Sequence, residues 1–210
     1  MNWVERVKKN IFPLSNEKYN IRKALDEWVY EGSMYDVEVA DETCELCDQP
    51  NIRYQFEIVN KLNNNSLLIG SECIMRFKIS VIDRSGKKLS FDDAKKKVIK
   101  DKSRLVTEAK EKNVLNTLVA LAAKDHEFNI ENFIEYFKER KAFTPNQLTL
   151  LIWRLERANI DFKKAHFKLT IRRNREKEQL LSLENWKLKR IWDCLSSNQK
   201  QFVLDRKNVF

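Results

Sequence analysis

The chain is poor in the residues that bend a backbone tightly, with three Gly and three Pro in 210 residues. A phosphate-cradling loop needs glycine wherever main chain must approach phosphate closely, so P-loop and dinucleotide-binding chemistries have almost no material here. H-E-x-x-H and G-x-S-x-G are also absent, which removes the common zinc-protease and serine-hydrolase readings. Histidine is scarce as well. His126 and His166 stand far apart, leaving little general-base chemistry, and no His-x-Glu element exists for a deaminase-type metal site. No apolar run approaches the roughly 20 residues of a membrane helix. The opening MNWVERVKKNIF lacks the apolar stretch and small-residue cleavage site of a secretory leader. A cytoplasmic chain with no membrane association and with reduced thiols is expected.

What is present is charge, and mostly of one sign. Forty Lys plus Arg against 31 Asp plus Glu gives a net charge of +9, with a mean hydropathy of -0.59 and an isoelectric point near 9.3. Such a surface suits polyanions, and nucleic acid, DNA or RNA, is the first partner to consider. With 42% hydrophobic residues the chain has enough apolar material for a core.

Hydrophobic periodicity divides the chain unevenly. Ile21, Leu25, Trp28 and Val29 share one face of a helix expected from Asn20 to Tyr30 and closed by Gly32. From Met34 the period becomes two: Tyr35, Val37, Val39, then Ile52, Tyr54, Phe56, Ile58, then Leu67 to Ile69, with an Asn-rich tip at Asn63 to Asn65. A small antiparallel sheet is predicted. Ser71 is expected to cap a short helix through Phe77, and Ser90 with Asp93 to open a long one. Helices are then expected near 91–111, 113–124, 130–140, 145–158, 174–181, 183–194 and 197–207, with an extended piece at His166 to Ile171. The fold class read from this is α+β, mainly α: a β-rich module over 1–86, then a helical bundle with a basic surface over 87–210, divided at the Ser85 to Lys88 turn.

The module carries the chemistry. Cys44-Glu45-Leu46-Cys47 is a C-x2-C knuckle, and Cys73 follows Gly70-Ser71-Glu72 at the mouth of the short helix. A two-residue gap lets one turn aim both sulfurs at one ion, and the first turn of a helix favours thiolate. Cys44, Cys47 and Cys73 are therefore candidate metal ligands, with Zn2+ the expected ion. A fourth cysteine three residues after Cys73 is missing, since Arg76 stands there. His126, His166, Cys194, the carboxylates Asp41, Glu42 and Asp48, or a water remain as alternatives. A metal-free fold with three buried thiols is the competing reading.

The stretch C-E-L-C-x4-I-x-Y-x-F-x-I-x-N-x6-L-L-I-G-S-E-C-I-M-R-F, residues 43–77, resembles small zinc-ribbon or treble-clef-like modules of bacteriophage and mobile-element proteins. The resemblance implies metal-site roles for Cys44, Cys47 and Cys73, turn roles for Gly70 and Ser71, and packing roles for Ile52, Ile74 and Phe77. The missing fourth ligand departs from that pattern. If the chain is phage-encoded, its location is the host cytoplasm.

Outside the module the densest basic run is Lys163 to Arg175. Lys164, Lys168, Arg172, Arg173 and Arg175 are candidate phosphate contacts, and Phe167 a candidate base-stacking ring. The competing reading is a half-buried strand with Phe167, Leu169 and Ile171 inward. Lys95, Lys96, Lys97, Lys100, Lys102 and Arg104 read as a solvated helix face diluted by acids, and Trp186 and Trp192 as core. Cys73 as a nucleophile is less simple than Cys73 as a ligand, and only Glu72 stands next to it as an acid or base. The expectation is a non-catalytic nucleic-acid-binding protein with a structural zinc module. A phage-encoded inhibitor or adaptor of a host protein complex is the alternative, and a metal-dependent enzyme the third reading.

Overall fold

A computed structural model describes residues 2–208. The chain forms two compact units, Met1–Ala109 and Lys110–Phe210, and the Ser85 to Lys88 turn lies within the first. The architecture is α+β and mainly α, a small sheet near the N-terminus followed by a long helix and a helical unit. Among the described residues, no helix is long and apolar enough to cross a membrane.

The first unit opens with α1 (Trp3–Ile11), which begins where the Asn2 side chain accepts from the Glu5 amide and which buries Val7 and Ile11. The sequence reading places no helix here. Helix α2 (Ile21–Asp26) follows, its start held by the Asn20 side chain. The chain then enters β1 (Trp28–Asp36), β2 (Tyr54–Asn60) and β3 (Ser66–Ile69), runs through α3 (Ser71–Arg76) and adds β4 (Ser80–Val81). The strand order is β3-β2-β1-β4.

Several elements differ from the sequence reading. The helix expected to reach Tyr30 stops at Asp26, and Trp28 to Tyr30 instead pair with Ile58 to Asn60. A helical stripe and a strand both accommodate these aromatic and β-branched residues, and strand pairing decided between them. Gly32 is therefore not a helix terminus. Its φ of +122° sits where the β1–β2 register shifts between Tyr30 and Met34, a bulge that a side chain would strain. The sheet is mixed, because β4 runs parallel to β1. Gly70, not Ser71, occupies the cap position of α3. The helices expected at 91–111 and 113–124 are one helix, α4 (Phe91–Lys124), opened as expected by the mutual Ser90 and Asp93 hydrogen bonds.

Two polar clamps hold the first unit's entry segment. The Asn-rich hairpin tip turns inward: Asn60, Asn63 and Asn65 each donate a side-chain N–H to the Leu14 carbonyl at 3.3, 3.0 and 2.9 Å. Buried Glu27 accepts from the amides of Asn16 and Glu17, both at 2.7 Å, and from Asn60 Nδ2 at 2.7 Å. The Trp28 indole donates to Ser15 Oγ at 2.9 Å inside the core. To the same core α4 supplies Ala94 and Val98, while Tyr30 OH donates to Asp101 Oδ2 at 3.1 Å beside Lys97 Nζ at 2.7 Å.

In the second unit, Val114, Leu118 and Leu121 of α4 face a core shared with α5 (Glu131–Arg140), α6 (Pro145–Arg157), α7 (Asn174–Ser182), α8 (Asn185–Arg190) and α9 (Ser197–Leu204). Capping boxes start α6 at Thr144 with Gln147 and α9 at Ser196 with Gln199. The segment expected at 183–194 is broken into α8 and a 3-10 turn at Trp192–Cys194. Trp192 packs against the core, but Trp186 is exposed, with the Lys187 and Arg190 cations over its ring.

Burial alone would raise the Glu27 carboxyl, but the bonds from Asn60 and from the Asn16 and Glu17 amides outweigh it and hold its pKa below the ordinary value. A carboxyl depressed on folding stabilises above its unfolded pKa, and that stability is lost as pH falls through the folded value. Glu27→Gln should therefore destabilise the first unit by about 1 to 3 kcal/mol at neutral pH. It should also flatten the acid limb of stability against pH, measured by urea unfolding between roughly pH 3 and 7. An unchanged acid limb would remove Glu27 from this role.

Candidate metal centre and basic groove

The first arm of the cysteine site is a tight turn. Cys44 N–H donates to the Gln49 carbonyl and Asp48 N–H to the Cys44 carbonyl, both at 2.9 Å, with Asp48 at φ 57° and fully buried Leu46 as the anchor. An antiparallel bridge between Glu42 and Ile52 closes the base of this loop. The knuckle is also fastened to the sheet edge, since Glu45 N–H donates to the Leu68 carbonyl at 3.0 Å and the Leu68 amide donates back to Glu45 Oε2. The second arm is the β3–α3 junction. It delivers Cys73 one turn after Gly70, with Ile74 and Phe77 buried behind it and Ile52 packed at the edge of the same core.

These arms bring the three sulfurs together. Cys73 Sγ lies 3.6 Å from Cys44 Sγ and 3.3 Å from Cys47 Sγ, and all three sit within 4.8 Å of one another. These separations are far from the ~2.05 Å of a disulfide, and all three thiols are free. A tetrahedral ion with metal–sulfur bonds of about 2.3 Å would hold its sulfurs ~3.8 Å apart. Three thiols so placed can hold a metal ion.

Their electrostatics point the same way. The hydrogen bond from Cys73 favours the Cys44 thiolate against its burial, and amides of Gly70, Cys47 and Leu46 add to that, so its pKa falls well below the ordinary thiol value. Cys73 moves up, because its proton is shared with Cys44 and it is buried. Burial raises Cys47. One negative charge is accommodated at the cost of the other two, and a divalent cation is what lets all three ionise together.

The alternatives for a fourth ligand are placed as follows. Asp48 Oδ1 is engaged by Asn10 Nδ2 at 2.8 Å. Asp41, Glu42 and His126 are exposed. His166 Nδ1 is 2.8 Å from Asn113 Oδ1. Cys194 is buried in the second unit's core, where burial pushes its thiol up to about 12. Among the described residues, no His, Asp, Glu or further Cys joins the three sulfurs.

The basic run 163–175 folds as a 3-10 turn (Lys164–His166), then an extended piece whose Leu169 bridges Phe143 in parallel. Phe167 is fully buried, 5.6 Å edge-on to Phe162 and stacked on Phe143 at 6.2 Å. It offers no face to a base, and the inward-facing strand reading describes it. Lys164 is also structural: its ammonium pairs with Glu156 at 2.8 Å and donates to the Arg190 carbonyl at 3.1 Å, while Arg190 pairs with the same carboxylate. Lys168, Arg172, Arg173 and Arg175 are exposed, and among the described residues they form no ion pair. Lys168, Arg172 and Arg173 line a groove of about 350 Å³ together with Tyr136, Arg140 and Lys141. Sequence reasoning missed Arg140 and Lys141, because the turn between α5 and α6 brings them beside a segment nearly thirty positions on. Arg140 and Lys141 pair with Glu139 and Glu111. On α4, Lys96, Lys97 and Arg104 have acidic partners in Asp93 and Asp101, as a solvated face would.

Comparison with protein-family models, with curated proteins and with solved structures found no match.

Because a metal bound only by the folded chain stabilises it by mass action, a divalent metal at about 100 times its dissociation constant should add ~2.7 kcal/mol to stability. Thermal unfolding with and without chelator measures this. Cys47→Ser and Cys73→Ser should each abolish the metal-dependent part of the shift. A wild-type midpoint that ignores both metal and chelator would show that the thiols are only buried side chains.

Proposed function

We propose that this chain is a non-catalytic nucleic-acid-binding protein in which a zinc ion held by Cys44, Cys47 and Cys73 stabilises the first unit and the basic groove of the second meets phosphate. The observation that carries the reading is where the charge excess falls. Lys110–Phe210 holds 21 Lys and Arg against 13 Asp and Glu, an excess of 8 out of the chain's 9. Within it, residues 163–175 contain no acidic residue. Exposed cations left without carboxylate partners repel one another, and a polyanion relieves that repulsion while releasing its own condensed counterions.

The donor set supports zinc, since three thiolates suit a soft or borderline ion with tetrahedral preference. The likeness of residues 43–77 to phage and mobile-element zinc modules is consistent with it and adds a phage-type origin to the proposal. Stacking on Phe167 and a phosphate contact from Lys164 are not part of it, because both side chains are committed to the fold.

The test uses the full chain and oligonucleotides of increasing length, single- and double-stranded. Binding should be micromolar or tighter at about 50 mM salt, and log affinity should fall linearly with log salt. Replacing Lys168, Arg172, Arg173 and Arg175 with Ala should lower that slope by up to ~0.9 per lost phosphate contact without changing the helical spectrum. Phe167→Ala should instead cost about 3 to 5 kcal/mol of stability. No complex with any oligonucleotide at tens of micromolar protein would overturn the proposal and leave an acidic protein partner as the reading of the basic surface.

A further inference from the structure

The three sulfurs do not lie under a closed surface. Cys44, Cys47 and Cys73 line a groove of about 550 Å³ that is also lined by Arg76, Lys102 and Glu72. Zinc sites with three protein ligands keep the fourth position for water or an incoming ligand, whereas a site whose metal serves the fold alone has four. Among the described residues no carboxylate joins the three sulfurs: Asp48 is bonded to Asn10, and Asp41, Glu42 and Glu72 are exposed.

The lining says what kind of ligand fits. Three thiolates and one divalent ion leave a net charge of −1, which alone would disfavour a second anion. Two cations, Arg76 and Lys102, line the same groove. Lys102 Nζ reaches Ser71 Oγ at 3.4 Å, and among the described residues the one ion pair of Arg76 is an exposed contact with Glu72 at 3.9 Å, so both heads can turn to an incoming charge. Arg53, also on the groove, is already spent in a two-point pair with Asp36 at 2.7 and 2.9 Å.

We infer that the ion held by Cys44, Cys47 and Cys73 keeps its fourth coordination position open to this groove and takes there a small mercaptocarboxylate, sulfur on the metal and carboxylate toward Arg76 and Lys102. The inference rests on the metal reading above. In the exchange, the ligand thiol gives its proton to solvent and its sulfur replaces a bound water, with no change of oxidation state. A soft donor matches a tri-thiolate ion, and the carboxylate supplies the charge that Arg76 and Lys102 select.

The experiment uses the full chain loaded with cobalt(II), whose visible bands report the donor set, titrated with thioglycolate and with 2-mercaptoethanol. Thioglycolate should shift the bands saturably and should bind more tightly than the uncharged thiol. In the Arg76→Met, Lys102→Met double variant, whose ligand-free spectrum and circular dichroism should match wild type, thioglycolate affinity should fall about two- to fivefold, and that for 2-mercaptoethanol should barely change. Bands that ignore both thiols would mean a protein donor fills the fourth position, which overturns the inference while the metal reading stands. Bleaching of the bands would mean the thiol strips the ion, and equal loss of affinity for both thiols would mean the two cations select nothing. Either result overturns it. A chain that takes up no cobalt and no zinc overturns the metal reading and this inference together.

Discussion

Crowding of three thiols into one small volume is the constraint on which the first unit is organised. Sulfurs 3.3 and 3.6 Å apart on three buried cysteines cannot all carry charge without a counter-ion. Apolar packing alone gives no reason to converge three side chains from two separate turns on one point. The turns are also costly in backbone terms, with Asp48 and Asn51 both in the left-handed region. A bound cation would resolve both features, because it would tie the Cys44–Cys47 knuckle to the β3–α3 junction and turn a repulsive cluster into a cross-link between residues 26 or more positions apart.

The rest of the unit behaves as if that link needs a firm base. The Glu45 and Leu68 exchange of hydrogen bonds fastens the knuckle to β3 and also occupies part of an edge strand that would otherwise present unpaired main chain. Across the sheet, Leu14 accepts from three asparagines, and Glu27 gathers two amides and one side-chain N–H. A chain with so few glycines meets its special backbone positions largely with Asn, Asp, Glu and Lys, as at Glu38, Asn64 and Lys78. Asn and Asp tolerate that region better than most, whereas Glu and Lys there depend on their surroundings to hold them.

How much of this was legible follows from the range of each interaction. The C-x2-C knuckle, the Thr144-Pro145 and Ser90-x-x-Asp93 helix starts, and the alternation through Phe56 and Ile58 are local signals, and they correspond to a turn, two helix N-termini and a strand. The segment Trp28 to Tyr30 was not legible, since its residues satisfy a helical stripe and a strand alike and pairing with a strand thirty positions on made the choice. Helix α1 carries a local signal of its own, an Asn2 cap followed by Val7 and Ile11 one turn apart on the buried face. The inward turn of the Asn-rich tip had none, because its acceptor, Leu14 carbonyl, lies some fifty residues earlier. The site was legible as three cysteines; that no local carboxylate completes it depended on where Asn10 comes to lie.

The charge distribution separates two tasks that the total of +9 had merged. The first unit is close to neutral, so its lysines on α4 find acids one turn away and behave as ordinary surface. The second unit keeps its surplus in a segment whose apolar half is buried: Phe167 and Leu169 point inward, and the alternation that buries them is what turns Lys168 outward. Core and cationic surface there are two faces of one extended stretch. The same packing that denies Phe167 to a base therefore fixes the backbone that carries Lys168, Arg172 and Arg173. A cation presented from a fixed backbone loses less conformational freedom on meeting phosphate than one on a mobile tail, so under the proposed function a buried aromatic anchor would favour phosphate binding without touching the phosphate.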